Sequence, residues 1–167
     1  IYKEKLKNLE NAAKCLESGG LYAEAAEIYL ELNSLEKAAD LYAQIGMTQK
    51  SETIYDNCVS NALKQNNYLD AARIAGIKLN DSERESALLL QGWEKNQHAK
   101  TCLSRLFSKA LSKEEVDKAA YLEQFYKKHV PPEKGTEFLG VVFQNLEPLH
   151  NSAADQLLFE LTYDVVE

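Results

Sequence analysis

A block of eight residues recurs every thirteen residues near the start of this 167-residue chain. Its copies read Leu9-Glu-Asn-Ala-Ala-Lys-Cys-Leu16, Tyr22-Ala-Glu-Ala-Ala-Glu-Ile-Tyr29, Leu35-Glu-Lys-Ala-Ala-Asp-Leu-Tyr42 and Thr48-Gln-Lys-Ser-Glu-Thr-Ile-Tyr55. A fifth, Tyr68-Leu-Asp-Ala-Ala-Arg-Ile-Ala75, follows after a longer gap. Within a block the matched columns stand at offsets 0, 3, 4 and 7, which is one face of an α-helix. The ends of that face are large: Leu9, Tyr22, Leu35 and Tyr68 at one end, Leu16, Tyr29, Tyr42 and Tyr55 at the other. Its middle is small: Ala12/Ala13, Ala25/Ala26, Ala38/Ala39, Ser51/Glu52 and Ala71/Ala72. Paired alanines let a neighbouring backbone come close, and the large residues fill the space around the contact.

A thirteen-residue step leaves about ten residues for a helix and about three for a turn. Such a helix is only ~15 Å long and marginal by itself in water. It therefore has to pack on its neighbours in sequence. The punctuation agrees. Ser18-Gly19-Gly20 ends the first helix, with glycine free to take the left-handed cap. Asn33-Ser34 closes the second and offers Ser34 as an N-cap. Gly46 closes the third, Thr48 is expected to cap the fourth, and Asn66-Asn67 separates the fourth from the fifth.

After Leu79 the repeat loosens but stays helical. Asp81 or Ser82 starts a helix that ends near Gly92-Trp93. His98 to Leu111 carries Ala99, Cys102, Leu103, Leu106, Phe107 and Ala110 at helical spacing. Ser112-Lys-Glu-Glu115 reads as a capping box opening a helix to about His129, where Pro131-Pro132 stops it. Gly135, Phe138, Leu139, Val142, Phe143 and Leu146 form another stripe, broken at Glu147-Pro148. The last stretch, with Ala154, Leu157, Leu158, Leu161 and Val165, is expected to be helical too. The expected fold is all-α with about ten helices: residues 1–80 regular repeats of period thirteen, residues 81–167 a looser continuation with acidic C-terminal helices.

The phrases YAEAAEIYLELN and LEKAADLYAQIG resemble tetratricopeptide-like helical repeats. Their spacing is similar to the short-helix solenoids of coatomer subunits, clathrin heavy chain and intraflagellar-transport proteins. The fusion-attachment adaptor proteins use similar wording in longer helices. The resemblance covers Leu9 to Leu79 and implies a right-handed α-solenoid of antiparallel helix hairpins that binds other proteins. The period differs from that of a tetratricopeptide repeat, twenty-six residues per helix pair against about 34. No set of basic residues matches a peptide-carboxylate clamp.

Lys and Arg number 19 and Asp and Glu 26, for a net charge of −7. Phosphate binding needs a basic stripe, so no nucleic-acid partner and no anionic-membrane surface is expected. From Pro131 to Glu167 seven acids oppose Lys134 alone, so that segment carries −6. It is read as a solvated surface, with a basic partner as the alternative. Cys15, Cys58 and Cys102 lie far apart on helical stretches, with no C-x-x-C pair. They are expected to be reduced thiols, as suits a cytoplasmic protein. No signal peptide or apolar run of membrane-spanning length is visible, so no membrane insertion is expected. The chain opens at Ile1, and both ends read as mid-structure, so it is expected to be a piece of a longer protein.

No phosphate-binding loop, dinucleotide fingerprint, zinc-protease helix or nucleophile elbow is found, so no catalytic, cofactor or metal residue is nominated. His98, His129 and His150 are isolated from one another. Glu114-Glu115 and Glu133/Glu137 are explained by capping and solvation. Tyr29, Tyr42 and Tyr55 share a repeat column and are read as packing residues whose hydroxyls reach the surface, with a binding surface as the alternative. Trp93, the one tryptophan, is read as an anchor for a partner or for the joint between the two halves. The expected function is a protein-interaction scaffold in a multi-protein assembly. The alternatives are an adaptor that binds and remodels a partner and a regulatory arm of a multidomain enzyme.

Overall fold

The computed structural model describes residues 2–112 and 117–146. The Glu114-Glu115 pair, His150, the Glu147-Pro148 break and the last expected helix lie outside them. Among the described residues every regular element is helical: α1 (Tyr2–Ser18), α2 (Tyr22–Glu31), α3 (Leu35–Gln44), α4 (Thr48–Lys64), α5 (Tyr68–Arg73), α6 (Ser82–Glu94), α7 (Ala99–Leu111), α8 (Lys118–His129) and α9 (Gly135–Leu146). A π-helical turn, Ile74–Lys78, continues α5, and a 3₁₀ turn, Pro132–Lys134, leads into α9. Two compact units are present, one ending at Glu85 and one beginning at Ser86.

In the first unit each helix from α2 to α5 packs on the helix before it. The alanine columns are the seam: Ala25, Ala26, Ala38, Ala39, Ala71 and Ala72 are fully buried. Ser51 takes the small position in α4 and is buried, its hydroxyl donating to the Thr48 carbonyl at 2.9 Å. Ala13 is buried, while Ala12 and Glu52 are exposed, so the first and fourth blocks use one small position each.

The turns are built alike. Gly20, Asn33, Gly46 and Asn66 all have positive φ, at 79°, 54°, 77° and 56°. Each closes a helix by the same pair of bonds, as in Leu21 N–H to Leu16 O (2.9 Å) and Gly20 N–H to Glu17 O (3.1 Å). The residue after the left-handed one then begins the next helix. Ser34 donates its N–H to Tyr29 O at 2.8 Å and accepts at its own carbonyl from Ala38 N–H at 3.2 Å. Leu21, Met47 and Asn67 do the same.

Three capping expectations change. Ser34 holds the N-cap position, but its side chain makes no cap bond. Met47, not Thr48, is the N-cap of α4; Thr48 is already inside the helix. Ser112 donates to Lys109 O at the end of α7, and Asp117 caps α8 by accepting from Ala120 N–H at 3.2 Å. Asn67 does cap α5, accepting from Asp70 N–H at 3.1 Å.

Helix length is where the repeat departs from its own rule. The helices α2 and α3 have the expected ten residues, but α4 has seventeen. The thirteen-residue ladder of turn positions, Gly20, Asn33 and Gly46, next falls on Val59. A β-branched residue is a genuine outlier at positive φ. Val59 is instead fully buried in the helix, which runs on for two more turns until Asn66 supplies the next left-handed residue. Two turns return the helix to nearly the same face, so Ala62 is buried below Val59 and the pattern resumes at Tyr68.

In the second unit α7 buries Ala99, Cys102, Leu103, Leu106, Phe107 and Leu111. It packs on α9, which buries Phe138, Leu139, Val141 and Val142. Phe143, expected on that buried stripe, is 43% exposed. It lies one position past the Val141–Val142 pair that α9 presents inward. Phe107 lies nearly perpendicular to the rings of Tyr121, Phe125 and Phe138, at centroid distances of 6.2 Å, 5.0 Å and 5.7 Å. Aromatic quadrupoles favour that edge-to-face geometry.

Candidate interaction surfaces

The tyrosine column packs inward. The rings of Tyr29, Tyr42 and Tyr55 are buried, and each hydroxyl donates to a carboxylate on the preceding helix. Tyr29 reaches Glu17 at 3.2 Å, Tyr42 reaches Glu27 at 2.5 Å, and Tyr55 reaches Asp40. A lysine ammonium lies over each ring, where the face of the π-system attracts a cation. Lys37 is 5.2 Å from the Tyr29 centroid, Lys50 is 4.0 Å from Tyr42, and Lys78 is 5.8 Å from Tyr55. Lys37 and Lys50 each follow their tyrosine by eight residues, so the repeat encodes them too. Lys50 also donates to the Tyr42 hydroxyl at 2.8 Å and to Glu27 at 2.9 Å. Burial, then the adjoining carboxylate, pushes all three phenols above the ordinary tyrosine range. The Tyr42 hydroxyl and then Lys50 hold the Glu27 carboxyl below the ordinary range. These tyrosines tie one helix to the next, and their rings are not available to a partner.

A groove of ≈ 630 Å³ opens in the first unit where α4 overruns the repeat. One wall is the start of α3, from Asn33 to Lys37, with Asp40 further along. The other is the second half of α4, with Cys58, Asn61 and Ala62, and Gln65 at its C-cap. Asn67, Asp70 and Ile74 close the end. Its carboxylates are matched within the fold. Arg73 forms a two-pronged pair with Glu36 at 2.8 Å and 2.7 Å and reaches Asp70 at 2.8 Å. Such a fork fixes geometry as well as charge. The Glu36 bonds come first among the causes that raise the guanidinium above its ordinary range. Lys78 pairs with Asp40 at 2.6 Å. Burial pushes the Cys58 thiol up, which disfavours the thiolate that would make it a nucleophile.

Trp93 is fully buried in the second unit, so it presents no face to a partner. Its indole N–H donates to the His129 carbonyl at 2.9 Å, and Lys134 donates to the Trp93 carbonyl at 2.6 Å from a position 4.5 Å over the ring. His129 places Nδ1 3.0 Å from Glu94. His98, at φ 51°, heads α7 and is exposed. Glu133 is exposed and Glu137 half-buried. Cys15 is exposed, Cys102 is buried, and all three cysteines are free thiols. Among the described residues no three His, Cys, Asp or Glu side chains gather as metal ligands, and no helix is long and apolar enough to cross a membrane.

Compared with known proteins, the chain matches no family model, no curated protein and no solved structure.

Asn61 and Gln65 were not singled out by sequence reasoning. The signal was present in the polar line Cys58, Asn61, Gln65, which runs at helical spacing alongside the buried Val59 and Ala62.

Proposed function

We propose that this chain is a protein-interaction scaffold, a helical-repeat segment working in a multi-protein assembly. In this reading its helices form a right-handed solenoid of antiparallel hairpins, similar to the tetratricopeptide-like repeats of coatomer and clathrin. It acts in the cytoplasm, on other proteins, without catalysis and without nucleic acid. The observation that carries the reading is the iterated helix–turn unit of α1 to α4, in which each helix packs on its sequence neighbours. A chain built by iteration has its function on its surfaces. The polar groups that a site would use for chemistry are here engaged in holding helices together: Tyr42 with Glu27 and Lys50, Arg73 with Glu36 and Asp70.

The test is affinity capture with in situ cross-linking, read by mass spectrometry as cross-linked residue pairs. Partner peptides are expected on surface lysines of the first unit such as Lys64, with Lys100 of the second unit as the comparison. Retention of nothing beyond a matched control surface would defeat the scaffold role.

A further inference from the structure

We infer that the groove between the start of α3 and the overrunning half of α4 binds an extended segment of a partner protein through that segment's main chain. This rests on the interaction reading above and assigns it a site. The groove exists because Val59 cannot take the left-handed turn position, so α4 carries two turns that the regular repeat would not have. Those turns bury Val59 and carry Asn61 and Gln65 along the groove, with the small Ala62 between them in the same wall.

Neither carboxamide has a hydrogen-bond partner among the described residues, whereas the groove's carboxylates, Glu36, Asp40 and Asp70, are all engaged. A carboxamide has one acceptor and one donor group, the same pair that a peptide unit presents. Asn61 and Gln65 are four residues apart on a helix, a rise of ~6 Å. Alternate residues of an extended chain are ~6.6 Å apart. The N–H and C=O of one residue face the same edge of an extended chain, so two alternate residues meet the two carboxamides in register.

The opposite wall suits the same occupant. The Ser34 side chain leaves the first turn of α3 uncapped, so the N–H groups of Leu35, Glu36 and Lys37 remain available to main-chain carbonyls. Charge argues for main chain over an ionic ligand. Glu36 and Asp70 share Arg73, Asp40 pairs with Lys78, and Lys37 lines the same groove, so three carboxylates face three cations and the groove offers hydrogen-bonding capacity without net charge. At ≈ 630 Å³ the groove is as large as an ordinary binding cleft.

The experiment selects a displayed random-peptide library on the 167-residue chain and on the double variant Asn61→Ala, Gln65→Ala. Both substitutions put alanine on a helix surface, so circular dichroism and melting should match the parent. The selected peptides are expected to shift the amide resonances of Leu35, Glu36 and Lys37 and the side-chain amides of Asn61 and Gln65. Affinity should fall about tenfold or more in the double variant, as two lost hydrogen bonds imply. N-methylation of alternate peptide units should abolish binding, while side-chain scrambling should weaken it less. Failure to select any peptide, resonance shifts confined elsewhere, or indifference to N-methylation each overturn the assignment. Cross-linked partners that survive in the double variant unchanged would overturn the groove while leaving the interaction reading standing.

Discussion

Ala25, Ala26, Ala38 and Ala39 have no exposed surface, because neighbouring helices close over them. A larger residue there has no space to enter. Ala25→Leu or Ala38→Leu should cost about 1–3 kcal/mol by overpacking, measured by urea denaturation. Ala12→Leu, at an exposed position of the first block, should be close to neutral. The buried tyrosines make a second prediction at this scale. Folding raises the pKa of Tyr55, mainly through burial and then through Asp40. Above about pH 10, where a free phenol ionises, the folded state therefore holds more protons than the unfolded one. The stability tied to the neutral phenol is whole below that pH and falls as pH rises. Denaturation midpoints measured from neutrality into alkali should decline less steeply in Tyr55→Phe than in the parent.

Turn chemistry governs the elements. Asn67→Ala removes a side-chain bond to Asp70 N–H and should cost about 1 kcal/mol, whereas Ser34→Ala removes no cap bond and should cost little. Chemical denaturation of the two variants side by side checks this. The short helices α2 and α3 were legible in the sequence because glycine and asparagine recur at the positions that must turn left-handed. The length of α4 was legible only in reverse, from a valine where the ladder called for such a residue. Caps were harder to read. Thr48 has the right chemistry, but the turn before it places Met47 at the cap, and backbone geometry fixed that one residue earlier. In the second unit Phe143 fits a helical stripe by spacing yet is exposed, because periodicity gives a face and not its width. The groove was hidden for another reason. Its walls come from residues about thirty apart in the chain, and no local pattern announces such a meeting.

For the molecule as a whole, circular dichroism should report well over half helix, and a strong β signal would be incompatible with the element order. Trp93 offers a single optical probe of the second unit, and its complete burial should shield its emission from a neutral quencher until the unit unfolds. The internal turns of the first unit set its mechanical character. Leu21, Ser34, Met47 and Asn67 each bind backward through one amide hydrogen and forward through one carbonyl oxygen. Helix tips ordinarily fray on their own. Here a tip that loosens must disturb the first bond of its neighbour, since both hang on the same residue. Softness is thereby denied to the interior joints and driven outward, to the places where the relay of shared residues stops.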